Sequence, residues 1–142
     1  MIARVQACRL LLFFIGAALG SAGCGGDRYI VVGTAKAPSV SGWVMIEDAS
    51  KNGAQVTIHL EQLHPAVHLD PALKVYVAWF EPSQGAPVRA GILKYSPDVR
   101  AGELRARAPF GKFVVKVTAE ANDKPSRPSD FLVASQEITL ED

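Results

Sequence analysis

One segment of this chain alternates polar and apolar residues without a fault, and a strict period of two admits a β-strand and excludes an amphipathic helix. In Gln55-Val56-Thr57-Ile58-His59-Leu60-Glu61, the alternation places Val56, Ile58 and Leu60 on one face. Lys112-Phe113-Val114-Val115-Lys116-Val117-Thr118 repeats the pattern, with Phe113, Val115 and Val117 inward and both lysines outward. Leu73-Lys74-Val75-Tyr76-Val77-Ala78-Trp79-Phe80 is a longer β-branched and aromatic run. It reads as a central strand with Val75, Val77 and Trp79 facing the core, leaving Tyr76 and Phe80 for an aromatic patch on the opposite face. Trp43 is a further aromatic available to a ligand surface.

Weaker strands are expected at residues 41–47, 88–95, 101–107 and 137–140. No window of ten residues has helical periodicity. Turn chemistry separates the segments: Lys51-Asn52-Gly53 suits a hairpin, Pro82 to Pro87 a looser loop, and Ala108-Pro109-Phe110-Gly111 another reversal. Residues 124–130 carry Pro125 and Pro128, whose missing backbone donors exclude a sheet ladder, so this stretch is a loop. About seven short strands in roughly 100 residues predict an all-β fold, an antiparallel β-sandwich of immunoglobulin-like architecture. A small barrel is the fallback.

The N-terminus is of another kind. Arg4 and Arg9 precede an uncharged run from Leu10, and small residues lead through Ser21-Ala22-Gly23 to Cys24. The run from Leu10 to Ala22 is about 13 residues, against the ~20 that a membrane-crossing helix requires. The layout is that of an export signal and resembles a bacterial lipoprotein signal. That resemblance implies removal of residues 1–23, acylation of Cys24 and a domain tethered to a membrane of the cell envelope. Gly25 after the cysteine, in place of Asp, implies the outer membrane facing the periplasm if the cell is Gram-negative. The alternative is ordinary cleavage near Gly20-Ser21-Ala22 and release of a free secreted protein. Ser21 stands where lipoprotein signals usually carry an aliphatic residue.

Without the signal 119 residues remain, enough for one core. The expected division is a signal over 1–23, a flexible tether over 24–39 and the sandwich over 40–142. Within the tether, Tyr29-Ile30-Val31-Val32 is an apolar insert able to pair as an edge strand. Loss of Arg4 and Arg9 leaves 13 basic and 14 acidic residues, and near-neutrality gives no reason to expect nucleic acid as a partner. Cys8 leaves with the signal and Cys24 would be acylated, so no thiol remains for a disulfide.

A second resemblance covers roughly residues 55–140. Residues 73–80, the Gly/Pro-rich loop after them, Arg89-Ala90-Gly91-Ile92-Leu93, and residues 113–120 with the prolines and last strand beyond look like the extracytoplasmic domain of anti-sigma-K-type factors. It implies a β-sandwich. It implies no sigma-factor binding, because the chain lacks both the spanning helix and the cytoplasmic region of such factors, and it carries over no catalytic residues.

Candidate chemistry is sparse. His59, His64 and His68 fall within ten residues and form a possible copper or zinc set, since neutral imidazoles suit both ions. The simpler reading is three solvent-exposed histidines. Arg105, Arg107, Lys112 and Lys116 are expected on the outward face of two strands joined by the 108–111 reversal, as one basic stripe extended by Arg100. Such a stripe would meet an anionic lipid or an acidic envelope protein, or act as a solvated face that blocks edge pairing. There is no Gly-x-Ser-x-Gly, no His-Glu-x-x-His and no phosphate-binding glycine loop. Glu47 and Asp48 are neighbours in a strand and so point to opposite faces, poor geometry for paired acid and base work. The expectation is a non-catalytic, lipid-anchored interaction or structural module without a cofactor, with an envelope metal-binding or sensing domain as the alternative.

Overall fold

The computed structural model describes residues 26–140. Its strands are β1 (Asp27–Val32), β2 (Ser41–Ser50), β3 (Gly53–Glu61), β4 (Val75–Pro82), β5 (Val88–Ile92), β6 (Lys94–Ser96), β7 (Ala101–Ala108), β8 (Lys112–Glu120) and β9 (Leu132–Thr139). One short helix, α1 (Ala66–Leu69), lies in the connection from β3 to β4. Two antiparallel sheets face each other, ordered β1-β2-β3-β7-β6 and β5-β4-β8-β9. This is the expected immunoglobulin-like sandwich, with nine strands among the described residues in place of about seven.

The core forms where the two sheets meet. The first sheet contributes Val31, Val44, Ile46, Val56, Ile58 and Leu60, and the second Phe113, Val115, Val117, Val133 and Ile138, all buried. Both alternating segments therefore face as read. The central strand does not. Tyr76, Ala78 and Phe80 enter the core between the sheets, where Phe80 meets the edge of Phe113 at 5.4 Å between ring centroids. Val77 and Trp79 are equally buried yet lie outside that cluster, on the outer face of the second sheet. The expected aromatic patch of Tyr76 and Phe80 is thus part of the core. A strand covered on both faces has no polar side to betray its orientation.

The cover over Trp79 is the 121–131 loop. Ser129 N–H donates to Glu120 at the end of β8, and Arg89 on β5 donates to the Pro125 carbonyl at 3.0 Å. Because β4 lies between β5 and β8, the loop crosses the outer face of β4.

The N-terminal boundary also moves. Asp27–Val32 pairs along its whole length with β2, from Asp27 opposite Ile46 to Val32 opposite Ser41. Val31 is buried, and the turn after β1 is stitched to the other sheet: Thr34 N–H donates to Val133 O, Thr34 Oγ1 to Leu132 O and Lys36 Nζ to Asp130 O. The segment expected as a tether is a strand and its hairpin, because burying Val31 and half-burying Tyr29 outweighs the entropy of a free chain. Gly26 belongs with it, since a Cβ there would stand 1.7 Å from the Ile46 carbonyl oxygen. The signal and Cys24 lie outside the described residues.

The long connection from β3 to β4 is pinned by two tyrosines. Tyr95 donates to the carbonyl of Leu63 at 2.6 Å and Tyr76 to that of His64 at 2.5 Å. Leu63 is fully buried, and its N–H donates to Arg100 O. Burial raises the pKa of the Tyr76 hydroxyl well above the ordinary tyrosine value, and the neighbouring Tyr95 raises it further. Burial raises Tyr95 as well, against an opposing contribution from Arg100.

Candidate interaction surface

The outer face of the first sheet gathers the richest set of side chains. In β1 the alternation that buries Val31 turns Arg28, Ile30 and Val32 outward, leaving Ile30 73% and Val32 71% exposed. Register then lines up Ile30, Trp43, His59, Glu103 and Lys94 across five strands. The Trp43 and His59 rings stack at 5.1 Å, and the Arg28 guanidinium lies 4.6 Å from the Trp43 ring centre. His59 Nδ1 is 3.1 Å from Glu103 Oε2 and its Nε2 is 3.2 Å from Glu61 Oε1, so each ring nitrogen has a carboxylate within hydrogen-bonding distance.

Beyond Glu103 the face deepens into an open groove of about 560 Å³ along β6 and β7. Its walls combine the apolar Ile92, Val99 and Leu104 with Lys94, Glu103 and Arg105. Such a mixture of exposed apolar and charged groups suits a polypeptide or other amphipathic partner.

The histidines do not come together. His59 lies on this face, whereas His64 and His68 belong to the β3–β4 connection, with His68 exposed on α1. Among the described residues no group of three or more His, Cys, Asp or Glu side chains is placed to hold a metal ion. The connection turns away from the strand at Leu63, so closeness in sequence becomes separation in space.

The basic stripe is likewise divided. The 108–111 reversal carries the chain from one sheet to the other, so β7 and β8 are not neighbours. Arg105 and Arg107 project from the outer face of the first sheet, while Lys112 and Lys116 project from that of the second, where Lys116 pairs with Glu81. Opposite faces of a sandwich cannot form one stripe. Arg100 sits in the β6–β7 turn with a φ of 52°.

Sequence reasoning missed the row from Ile30 to Lys94, because no pattern within a strand shows which strands are neighbours. It also missed the buried relay under the 121–131 loop, where Trp79 Nε1 donates to Thr118 Oγ1, whose hydroxyl donates to Glu120, which also accepts from Ser129 N–H. Glu120 is 5% exposed. Its carboxylate holds the loop rather than facing a cavity.

No protein-family model matches the chain, and comparison with curated proteins and with solved structures gives no match either.

Proposed function

We propose that this chain is a lipid-anchored protein of the cell envelope, in which the sandwich is a non-catalytic interaction or structural module held at the membrane through Cys24. In a Gram-negative cell its place would be the outer membrane, facing the periplasm. Two lines support the reading. The N-terminal segment has the charge, length and small-residue order of an export signal ending in a cysteine. Several polar side chains that chemistry could use are committed to structure: Glu120 to the loop, Tyr76 and Tyr95 to the β3–β4 connection, and His59 to its two carboxylates.

The observation that carries the module reading is the outer face of the first sheet, where exposed Ile30 and Val32 adjoin the stacked Trp43 and His59 and a groove. A partner covering this face would bury apolar surface that now stands in water. Cys24→Ser tests the anchor: the protein should leave the membrane fraction for the soluble exported fraction with its fold unchanged. A mutant that stays in the membrane fraction overturns the anchor. Photo-crosslinkers placed at Ile30 and at Glu137 in intact envelopes test the face. A specific adduct is expected at Ile30 alone, and identical adducts at both positions overturn the assignment.

A further inference from the structure

The anchor and the sandwich are separated by almost no chain. Gly26 is already packed against the Ile46 carbonyl, and β1 begins at Asp27, so only Gly25 stands between Cys24 and the folded domain. At 3.3 to 3.6 Å per residue, the Cα atoms of Cys24 and Gly26 are at most about 7 Å apart. If Cys24 carries the acyl chains, it lies at the headgroup boundary, and the domain cannot stand off from the bilayer.

The fold determines which part of the domain is held there. Asp27 opposes Ile46, so β1 starts partway along β2, four residues short of Ser50, on the half of the sandwich that leads to the Lys51-Asn52 hairpin turn, the 83–87 loop, the 108–111 reversal and Leu140. Register shows this: Ser50 opposes Gly53, Ala54 opposes Ala108, Pro82 opposes Phe113 and Lys112 opposes Thr139. A Cβ on Gly111 would stand 2.5 Å from the Lys51 carbonyl oxygen, and Leu140 N–H donates to Gly111 O, so the two sheets finish side by side. At the other end are the 33–40 turn, α1 with the exposed Val67, the 97–100 turn and the 121–131 loop. The ten residues of β2 separate the two ends by roughly 30 Å.

We propose that the end formed by the 51–52, 83–87 and 108–111 turns is a membrane-apposed surface, lying on the phospholipid headgroups that hold the Cys24 acyl chains, with the α1 end directed away from the bilayer. The proposal rests on the lipid-anchor reading. Covalent reach puts the anchor on the half of the domain nearer these turns and charge gives no preference, because this end mixes Asp27, Glu47, Asp48 and Glu137 with Lys51, Arg107 and Lys112. The turns themselves are compatible with a headgroup layer: Lys51 is the one charged residue in 51–52, 83–87 and 109–111, and Phe110 offers a partly exposed ring.

The test uses the full acylated protein in sealed vesicles of phosphatidylethanolamine and phosphatidylglycerol, with a single reporter introduced by Asn52→Cys or by Val67→Cys. A membrane-impermeant thiol reagent should modify the Asn52→Cys protein several-fold more slowly than the Val67→Cys protein, at low and at high salt. Inserting a Gly/Ser segment of about 12 residues after Gly25, with an r.m.s. span of about 20 Å, should remove the difference while the protein stays bound. Equal rates in membrane-bound protein without the insert overturn the orientation and leave the anchor standing. Protein found outside the membrane fraction overturns the anchor, and the orientation with it.

Discussion

Trp79 Nε1 donates to Thr118 Oγ1 across the β4–β8 ladder at 2.9 Å, on the face of the second sheet that points away from the core. The bond gives an indole buried outside the main core a polar partner, and through Thr118 it connects to the carboxylate that anchors the 121–131 loop. Trp79→Ala should therefore cost about 3 to 5 kcal/mol of stability, as emptying a large buried site does. It should also raise amide hydrogen exchange in residues 121–131 more than in β3. Thr118→Val, which keeps the shape and strands both partners, should cost about 1 to 3 kcal/mol in chemical denaturation.

Val31 and Val32 differ in exposure although adjacent, at 3% and 71%. Val31→Ala should lower stability by about 2 kcal/mol, for two buried methylene equivalents and the space they leave. Val32→Ala should stay within about 0.5 kcal/mol of wild type in the same urea titration. Two equal, negligible effects would mean that β1 contributes nothing to the fold.

Tyr76 links stability to alkaline pH. Its hydroxyl is held neutral in the folded state, with a pKa raised above the ordinary value of 10.0 mainly by burial. Above that value the unfolded chain releases the proton and the folded chain keeps it, so the unfolded state is favoured as pH rises. The contribution is fully present below about pH 10 and declines above it. The midpoint of thermal unfolding should fall more steeply between pH 10 and 11.5 in wild type than in Tyr76→Phe. At pH 7 that variant should be less stable by about 1 to 3 kcal/mol, since the part-buried His64 carbonyl loses its donor.

The division of Arg105 and Arg107 from Lys112 and Lys116 predicts weak electrostatic attraction to membranes. The unlipidated domain should co-sediment with anionic vesicles little more than with neutral ones. Arg105→Glu with Arg107→Glu should change that little, because exposed charges are screened over ~10 Å at 0.1 M ionic strength. A strong, salt-sensitive loss of binding in the double variant would show that one pair suffices.

The sandwich was legible in the sequence because β3 has one wet face with a polar residue at every second position. The same contrast shows in β8 through Lys112 and Lys116, although Val114 interrupts it and Thr118 is buried. β4 was legible as a strand but not in its facing. With Val77 and Trp79 under a loop and Tyr76 and Phe80 between the sheets, the alternation carries no contrast. The Pro-rich loop was correctly read as lacking a ladder, but nothing local shows that such a loop lies across a strand some 45 residues earlier. The interaction surface was the least legible part. His59 was singled out for its two sequence neighbours, His64 and His68, whereas its actual companions are Trp43, Glu61 and Glu103, two of them brought in by sheet pairing. The basic stripe was misplaced for a similar reason: a four-residue reversal that joins two sheets has the same composition as one that joins two strands of a hairpin.

Leu93 alone separates β5 from β6, and at that residue the chain steps from one sheet to the other, its N–H held by the Tyr76 carbonyl. The opposite margin is drawn together where Gly33 bridges Ala134 and Thr34 bonds to Val133. Open sheet margins are templates on which another extended chain can add itself, and short or covered margins resist this. A sandwich pinned at one point on each flank leaves less of its margins open to incompletely folded neighbours, which lowers the tendency of many copies crowded onto one surface to pair edge to edge.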